Sequence, residues 1–364
     1  MPKLMALTHS RTDPASRFRV LQYVEPLEDC GWTVTHRPNK PSRFWKPGSR
    51  ISAVRKLERH VARKLRRLNR DRDIRDAGKA DVVFLQRDML EGDLAWEKRL
   101  FAENPHVLFD FDDAIFLGEK RRNHIAWICE HAAHVTVGNA YLADFARQYS
   151  DRVSIIPSVV PTAGYALHPL ARAADDGRTE KAKLRVGWLG SDLSIRETLF
   201  PRWEMLAKIQ KLLDFDFIVC SAPRPTPPSR DLRWSFLEWS PVIEERIGMH
   251  FDIGIMPLED NEYQRGKCGM KLLQYMAAGL PVVASPVGVN ADLVRHGETG
   301  FLAESVADWH DAISALQLSP DLRARFGRAG RALCEARYSR QVWFPVLHQL
   351  LATVSGQHAL GAPP

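Results

Sequence analysis

Lys267 and Lys271 stand four residues apart where a polar loop hands over to a helix, in the run Lys267-Cys268-Gly269-Met270-Lys271-Leu272-Leu273-Gln274. If the helix reaches back to Lys267, both ammonium groups share one face. A helix N-terminus already presents unpaired amides and the positive end of the dipole, so two exposed cations there cost roughly 0.3–1 kcal/mol each. An anion accounts for that cost, and a pyrophosphate fits. Two solvated lysines on a surface helix are the plain alternative. A second anion element, Gly190-Ser191, directly follows the apolar run Leu184–Leu189. Gly190 permits close backbone approach, Ser191 offers a hydroxyl and Arg196 is the nearby cation; the lone glycine gains weight only from its place after a strand. Asp110-Phe111-Asp112-Asp113 ends another apolar run. Asp112 or Asp113 can accept a proton or a hydroxyl hydrogen bond, while a helix N-cap serves the same residue types equally well. A metal-binding reading of Asp110 and Asp112 rests on a motif too short to carry it.

The elements that must hold these groups are short apolar strands alternating with helices, the pattern of a parallel sheet covered on both faces. In the first half the strands read as Lys3–Leu7, Trp32–Thr35, Ala80–Leu85, Val107–Phe111, Val135–Val137 and Val153–Ile156. Helices read as Val20–Glu28, cut short by Pro26, then Leu94–Phe101 and Asn123–Ala132. Residues 163–182, rich in Ala, Gly, Pro and charge, read as a linker. The alternation restarts with Leu184–Leu189, Phe215–Cys220, Leu232–Trp239 and Phe251–Met256. It closes with a helix over 269–278, the strand Pro281–Ser285, and helices over 306–318 and 341–354. The expected architecture is α/β: two Rossmann-like doubly wound domains, 1–165 and 183–340, facing a central cleft. A C-terminal helix over 341–358 is expected to pack back towards the first domain. Ligands of such sheets sit beyond the carboxyl ends of the strands.

Length and composition agree with this plan. A chain of 364 residues suits two domains. No apolar stretch is long enough for a membrane span, and the first ten residues do not read as a signal peptide. Five scattered cysteines without a C-x-x-C pair argue against a disulfide framework or structural zinc and for a reducing compartment. The expected location is therefore cytoplasmic.

The segment 267–290, followed by His296-Gly297-Glu298-Thr299-Gly300-Phe301-Leu302-Ala303 and by Gly327-Arg328-Ala329-Gly330-Arg331, resembles the donor domain of glycosyltransferase family 4 (the group 1 glycosyltransferases). The resemblance covers Leu184 to Tyr338 well and the first half mainly in layout. It implies the GT-B architecture, a nucleotide-sugar donor, retention at the anomeric carbon, no obligatory metal and no other cofactor. It places Gly190, Ser191, Arg196, Lys267, Gly269 and Lys271 around the donor phosphates. Ser16 and Arg17, in the Asp13–Arg19 loop, fall on the acceptor or phosphate side, with Arg19 as a helix-surface charge. Asp112 and Asp113 become the catalytic candidates. The family's pair of glutamates is altered here. Gln274 stands where the second, ribose-contacting Glu falls, and Gly266 occupies the place of the first. Gln274 can still bond a ribose hydroxyl as a neutral group, and Glu259, Asp260 or Glu262 could replace the missing acid.

Between Arg43 and Lys79 there are 14 Lys/Arg and 4 Asp/Glu, a balance of +10, against −3 for the rest of the chain. Ile51, Val54, Leu57, Val61, Leu65 and Leu68 form one apolar helical stripe within this basic segment. Such a helix suits an anionic membrane surface, or else packs its stripe on its own sheet. Nucleic acid is disfavoured, since aromatics are not interleaved with the charges. The expected function is transfer of a sugar from a nucleotide-sugar to a glycan, lipid-linked or small-molecule acceptor, as in polysaccharide biosynthesis, peripheral to the inner membrane face. The rivals are a sugar-nucleotide epimerase or hydrolase on the same plan, and a non-catalytic sugar-nucleotide-binding protein.

Overall fold

The computed structural model describes residues 1–40, 42, 48, 51–90, 92–172 and 183–356. The chain divides into two compact units, Met1–Ser158 with Trp343–Pro364, and Val159–Val342.

The first unit carries a six-stranded parallel sheet in the order β2-β1-β3-β4-β5-β6. Its strands are β1 (Lys3–Ser10), β2 (Thr33–Lys40), β3 (Val82–Gln86), β4 (Val107–Phe111), β5 (His134–Val137) and β6 (Val153–Ile155). β3 and β4 are buried at every residue, as strands covered on both faces must be. The helices are α1 (Pro14–Arg19), α2 (Val24–Asp29), α3 (Ser52–Ala77), α4 (Ala95–Glu103), α5 (Glu119–His131) and α6 (Ala140–Ala146). The stretch 13–19, expected as a loop, is therefore mostly helix. The single helix expected over 20–28 is broken, with a 3-10 turn at Leu21–Tyr23 before α2. Pro26 does not end α2. It occupies the third helical position, whose N–H has no intrahelical partner to lose.

The second unit repeats the plan with the order β12-β11-β10-β7-β8-β9. Its strands are β7 (Arg185–Leu189), β8 (Asp216–Ser221), β9 (Trp234–Glu238), β10 (Ile253–Met256), β11 (Val282–Ala284) and β12 (Gly300–Leu302), all parallel. The helices are α7 (Asp192–Ser194), α8 (Trp203–Leu213), α9 (Pro241–Glu245), α10 (Ile247–His250), α11 (Glu262–Arg265), α12 (Met270–Ala277), α13 (Asn290–Leu293), α14 (Val306–Leu318) and α15 (Pro320–Arg337). Buried Trp188, Trp203, Phe217 and Trp309 fill the core between β7, β8, α8 and α14. Of the expected linker, 173–182 lie outside the described residues. The part before them is no free tether. The His168 amide donates to the Ala278 carbonyl at 2.8 Å, and its buried ring meets Asp252, which also holds Arg185 at 2.8 Å.

The chain enters and leaves the second unit at one place. Val160 N–H donates to the Tyr338 carbonyl at 3.0 Å, and Arg340 N–H donates to the Val160 carbonyl at 3.1 Å. α16 (Arg340–Val354) follows, and from Trp343 onward its residues count with the first unit. There Phe344 stacks on Tyr23, His348 meets Trp32 edge-on, and Leu347 and Leu351 are buried.

The basic segment is also helical, with Arg43, Lys46 and Arg50 outside the described residues. Within α3 only Arg70, Asp73, Ile74 and Ala77 are buried. Arg70 donates to the carbonyls of Thr8 and Arg37 and pairs with Asp73 at 3.1 Å. Ile51, Val54, Leu57, Val61, Leu65 and Leu68 are 39–65% exposed, so the stripe does not pack on its own sheet.

Candidate functional site

In the second unit the site forms where β7 ends. Lys271, in the first turn of α12, reaches back over that end: its Nζ donates to Ser194 Oγ at 2.8 Å and lies 5.1 Å from the Trp188 ring centroid. A Cβ on Gly190 would sit 2.8 Å from Lys271 Cε and 2.4 Å from the buried Trp188 ring, so glycine is required by proximity. Ser191 caps α7, its hydroxyl accepting from Ser194 N–H at 3.2 Å. No side chain caps α12. Its N-cap is Gly269, at φ +65, where a Cβ would also meet Leu293 at 2.2 Å. The structure thus gathers Gly190, Ser191, Ser194 and Lys271, with the amides heading α12 on the same helix as Lys271. Backbone dipoles and one ammonium group so placed are of the kind that suits an anion.

Tyr275 fixes this arrangement from below. Its hydroxyl accepts from Leu189 N–H at 2.8 Å and lies 3.4 Å from the Ile255 carbonyl, tying α12 to the ends of β7 and β10. Its ring lies against Gly254, where a Cβ would come within 2.3 Å. Full burial pushes the phenol pKa well up, so it remains a neutral hydrogen-bonding group.

Several expected residues stand elsewhere. Lys267 precedes the left-handed Gly269 and is not on α12, so the shared helical face is absent; its ammonium lies 4.2 Å over the Tyr263 ring. Arg196 is exposed and pairs with Asp192 at 3.1 Å. Gln274 is only 4% exposed, and its amide faces the Tyr165 hydroxyl at 3.4 Å. Among the candidate replacement acids, Asp260 is paired with Arg265 at 2.6 Å. Glu262 opens α11, and the Glu259 amide is held by Gln264.

In the first unit, Asp112 and Asp113 follow β4 and are both held by Arg87, at 2.8 and 2.7 Å. α5 begins only at Glu119 and takes Gly118 as its N-cap, so neither aspartate caps it. Arg87 follows β3 at φ +60, a strained conformation for a residue with a side chain. Burial opposes the charge of both partners, but Asp112, Asp113 and Asp13 outweigh it and raise the Arg87 pKa. Likewise Arg87 and Arg19 hold Asp112 below the usual carboxylate range despite its burial. His9, bonded to Lys40 at 3.3 Å, is lowered to about 4 by burial and by Lys40 and Arg87. Arg19 is no surface charge: it is buried, bonded to Asp110 through two nitrogens and to the Ile156 carbonyl. Thr136 adds a third bond to Asp110 at 2.7 Å, so Asp110 is held by Arg19 and Thr136 while Asp112 is held by Arg87. Ser16, within α1, is fully buried, its hydroxyl oxygen facing the Ser10 amide at 3.5 Å. Arg17 lies over Phe18 on the same helix.

Sequence reasoning missed Arg87, Ser194 and Tyr275. Gln86-Arg87-Asp88 at the end of a buried strand was a usable signal for the first. Tyr275 sits in an apolar helical run and gave none.

Two doubly wound parallel units, each with its polar residues at the carboxyl ends of its strands, define the GT-B fold. Residues 209–318 match the family model of glycosyl transferases group 1. D-inositol 3-phosphate glycosyltransferases are similar over a shorter stretch. That of Pseudarthrobacter chlorophenolicus is 38% identical over 80 residues, and that of Actinosynnema mirum 42% over 71. These matches cover 21% and 19% of this chain and 18% and 16% of the relatives' own lengths. Solved structures match along the whole chain. Sucrose-phosphate synthase from Thermosynechococcus elongatus superimposes with a TM-score of 0.69 at 16% identity, over 97% of this chain and 99% of that one. Anabaena HepE, solved with UDP and glucose, gives 0.70 at 13% identity, over 97% and 100%. The chain resembles the group 1 glycosyltransferases and has their GT-B fold.

Proposed function

We propose that this protein is a glycosyltransferase using a uridine diphosphate sugar, with the diphosphate seated between Lys271, the Gly190-Ser191 turn and the head of α12. The observation that carries the reading is the Lys271 side chain laid over Gly190 beside a helix N-terminus that no side chain caps. Structures with this fold solved with UDP or UDP-glucose support the choice of base. Charge that develops on the departing diphosphate is stabilised there, which is the principal catalytic device, and no divalent ion is required. Lys267 is a secondary candidate for phosphate contact. Asp112, kept ionised by Arg87, and Asp113 accept hydrogen bonds from hydroxyls of the acceptor, with Arg87 positioning both. The acceptor is a glycan or lipid-linked hydroxyl, and the anomeric configuration is retained.

Calorimetry tests the diphosphate seat. Lys271→Ala lowers affinity for UDP by about tenfold or more, the value of one charge-assisted bond, and leaves uridine affinity unchanged. Equal losses for both ligands would show a structural lysine. UDP release from UDP-glucose in a cell extract persists in EDTA; loss restored by Mg²⁺ or Mn²⁺ refutes the metal-free reading. The altered acid pair at Gly266 and Gln274 favours one second reading, a nucleotide-sugar-binding protein without transfer. UDP binding with no turnover in any extract would select it.

A further inference from the structure

The exposed face of α3 has a direction as well as a composition. At about 100° per residue, Ile51, Val54, Leu57, Val61, Leu65 and Leu68 fall within an arc of about 120°. Arg70, Asp73, Ile74 and Ala77, the residues by which α3 is buried in its own unit, centre about 160° away from that arc. The aliphatic stripe therefore points away from the body that anchors the helix. Between Ser52 and Asn69, over ~27 Å of helix, there are seven Lys/Arg and one acidic residue. Arg55 and Arg66 flank the stripe on one side and Lys64 on the other.

We propose that this face of α3 docks on an anionic lipid bilayer, the aliphatic stripe entering the headgroup boundary and the flanking cations meeting lipid phosphates. The charge pattern selects this occupant. A second copy laid stripe to stripe would bring Arg55, Lys64 and Arg66 against the same cations of its partner with no acidic residue on the stripe between them, which disfavours self-pairing. Nucleic acid uses cations but offers little to six aliphatic side chains, and α3 contains no Phe, Tyr or Trp to stack on bases. A bilayer with acidic headgroups satisfies both parts of the pattern, since long basic side chains reach phosphates while their stems stay beside apolar neighbours. The docking goes beyond the proposed transfer reaction and does not depend on it. It would set the first unit's anchor point at the membrane, because Arg70 ties the end of α3 to the carbonyl of Thr8 in β1.

The test is co-sedimentation of the full chain with phosphatidylcholine vesicles containing about 30% phosphatidylglycerol, at about 50 and 500 mM salt. Binding at low salt and release at high salt are expected, with little binding to pure phosphatidylcholine. The triple variant Leu57→Ser/Leu65→Ser/Leu68→Ser, altered only at exposed positions, loses vesicle affinity about tenfold or more. It keeps the parent's melting temperature and UDP affinity. Arg55→Ala/Lys64→Ala loses affinity by a similar factor and flattens the salt dependence. Parent-level binding by the triple variant, or no binding by the parent at low salt, overturns the proposal. So does retention of a DNA duplex in preference to vesicles, or a drop from dimer to monomer in the triple variant by light scattering.

Discussion

Gly190→Ala is the sharpest probe of the donor cradle, because the structure gives it two separate costs. The added Cβ would lie 2.4 Å from the Trp188 ring and 2.8 Å from Lys271 Cε. Trp188 is fully buried in the core of its unit and cannot yield without moving neighbours, an overpacking that typically costs about 1–3 kcal/mol. Lys271 can yield by swinging its stem aside, but that releases Ser194 and removes the ammonium from above the turn. Losing one charged hydrogen bond to the diphosphate is worth about 1.5–3 kcal/mol, roughly ten- to a hundredfold in UDP affinity. Urea denaturation read by tryptophan fluorescence measures the first cost, and UDP calorimetry the second. Gly297→Ala is the matched control: Gly297 sits at φ +78 with no atom near its missing Cβ. It should lose only about 1–2 kcal/mol of backbone preference and no UDP affinity. If Gly190→Ala unfolds at the parent's urea concentration and binds UDP equally well, the close packing of Lys271 over the turn is wrong.

Two further outcomes follow from buried groups. Tyr275→Phe strands the Leu189 amide and should cost about 1–3 kcal/mol in denaturation, with a smaller loss of UDP affinity as β7 loosens; unchanged stability would remove Tyr275 as the pin. For His9, lowered from 6.5 to about 4 by burial and then by Lys40 and Arg87, the unfolded chain takes up the proton first. Stability is therefore full above about pH 6.5 and falls as pH drops towards 4, by at most about 3.4 kcal/mol from this residue. His9→Gln should flatten that part of the acid limb, and an unaltered pH profile would count against the buried neutral imidazole.

The strands were largely legible in the sequence because parallel strands covered on both faces leave short, nearly continuous apolar runs, as β3, β4 and β7 show. β12 was not, since Gly300-Phe301-Leu302 is too short to show periodicity and reads as part of a longer turn. The cluster at the end of β7 was half legible. The places of Gly190, Ser191 and Lys271 at strand and helix ends singled them out, and the structure brings them together, but the residue pattern could not tell inward from outward side chains. Gln274 and Ser16 are both buried, which their residue types did not announce, whereas Arg87 and Tyr275 became visible only once their partners across the sheet were in place. α3 inverts the usual lesson. Its periodicity announced a stripe, but only the positions of Arg70 and Ile74 show that the stripe faces away from the fold.

The paired entry and exit of the second unit bear on how the protein is made. The first unit is discontinuous in sequence: Leu347, Leu351 and the ring contacts of Phe344 and His348 belong to its core, yet they follow the whole of residues 159–342. A ribosome delivering the chain from its N-terminus supplies every strand of the first sheet early and its last packing helix only at the end. The second unit is contiguous and can close on itself through Val160 and Tyr338 before the buried residues of α16 have emerged. During synthesis the first unit therefore waits, with the surfaces of Tyr23 and Trp32 uncovered, for a segment made only after its neighbour is complete, and chaperones would find their target there.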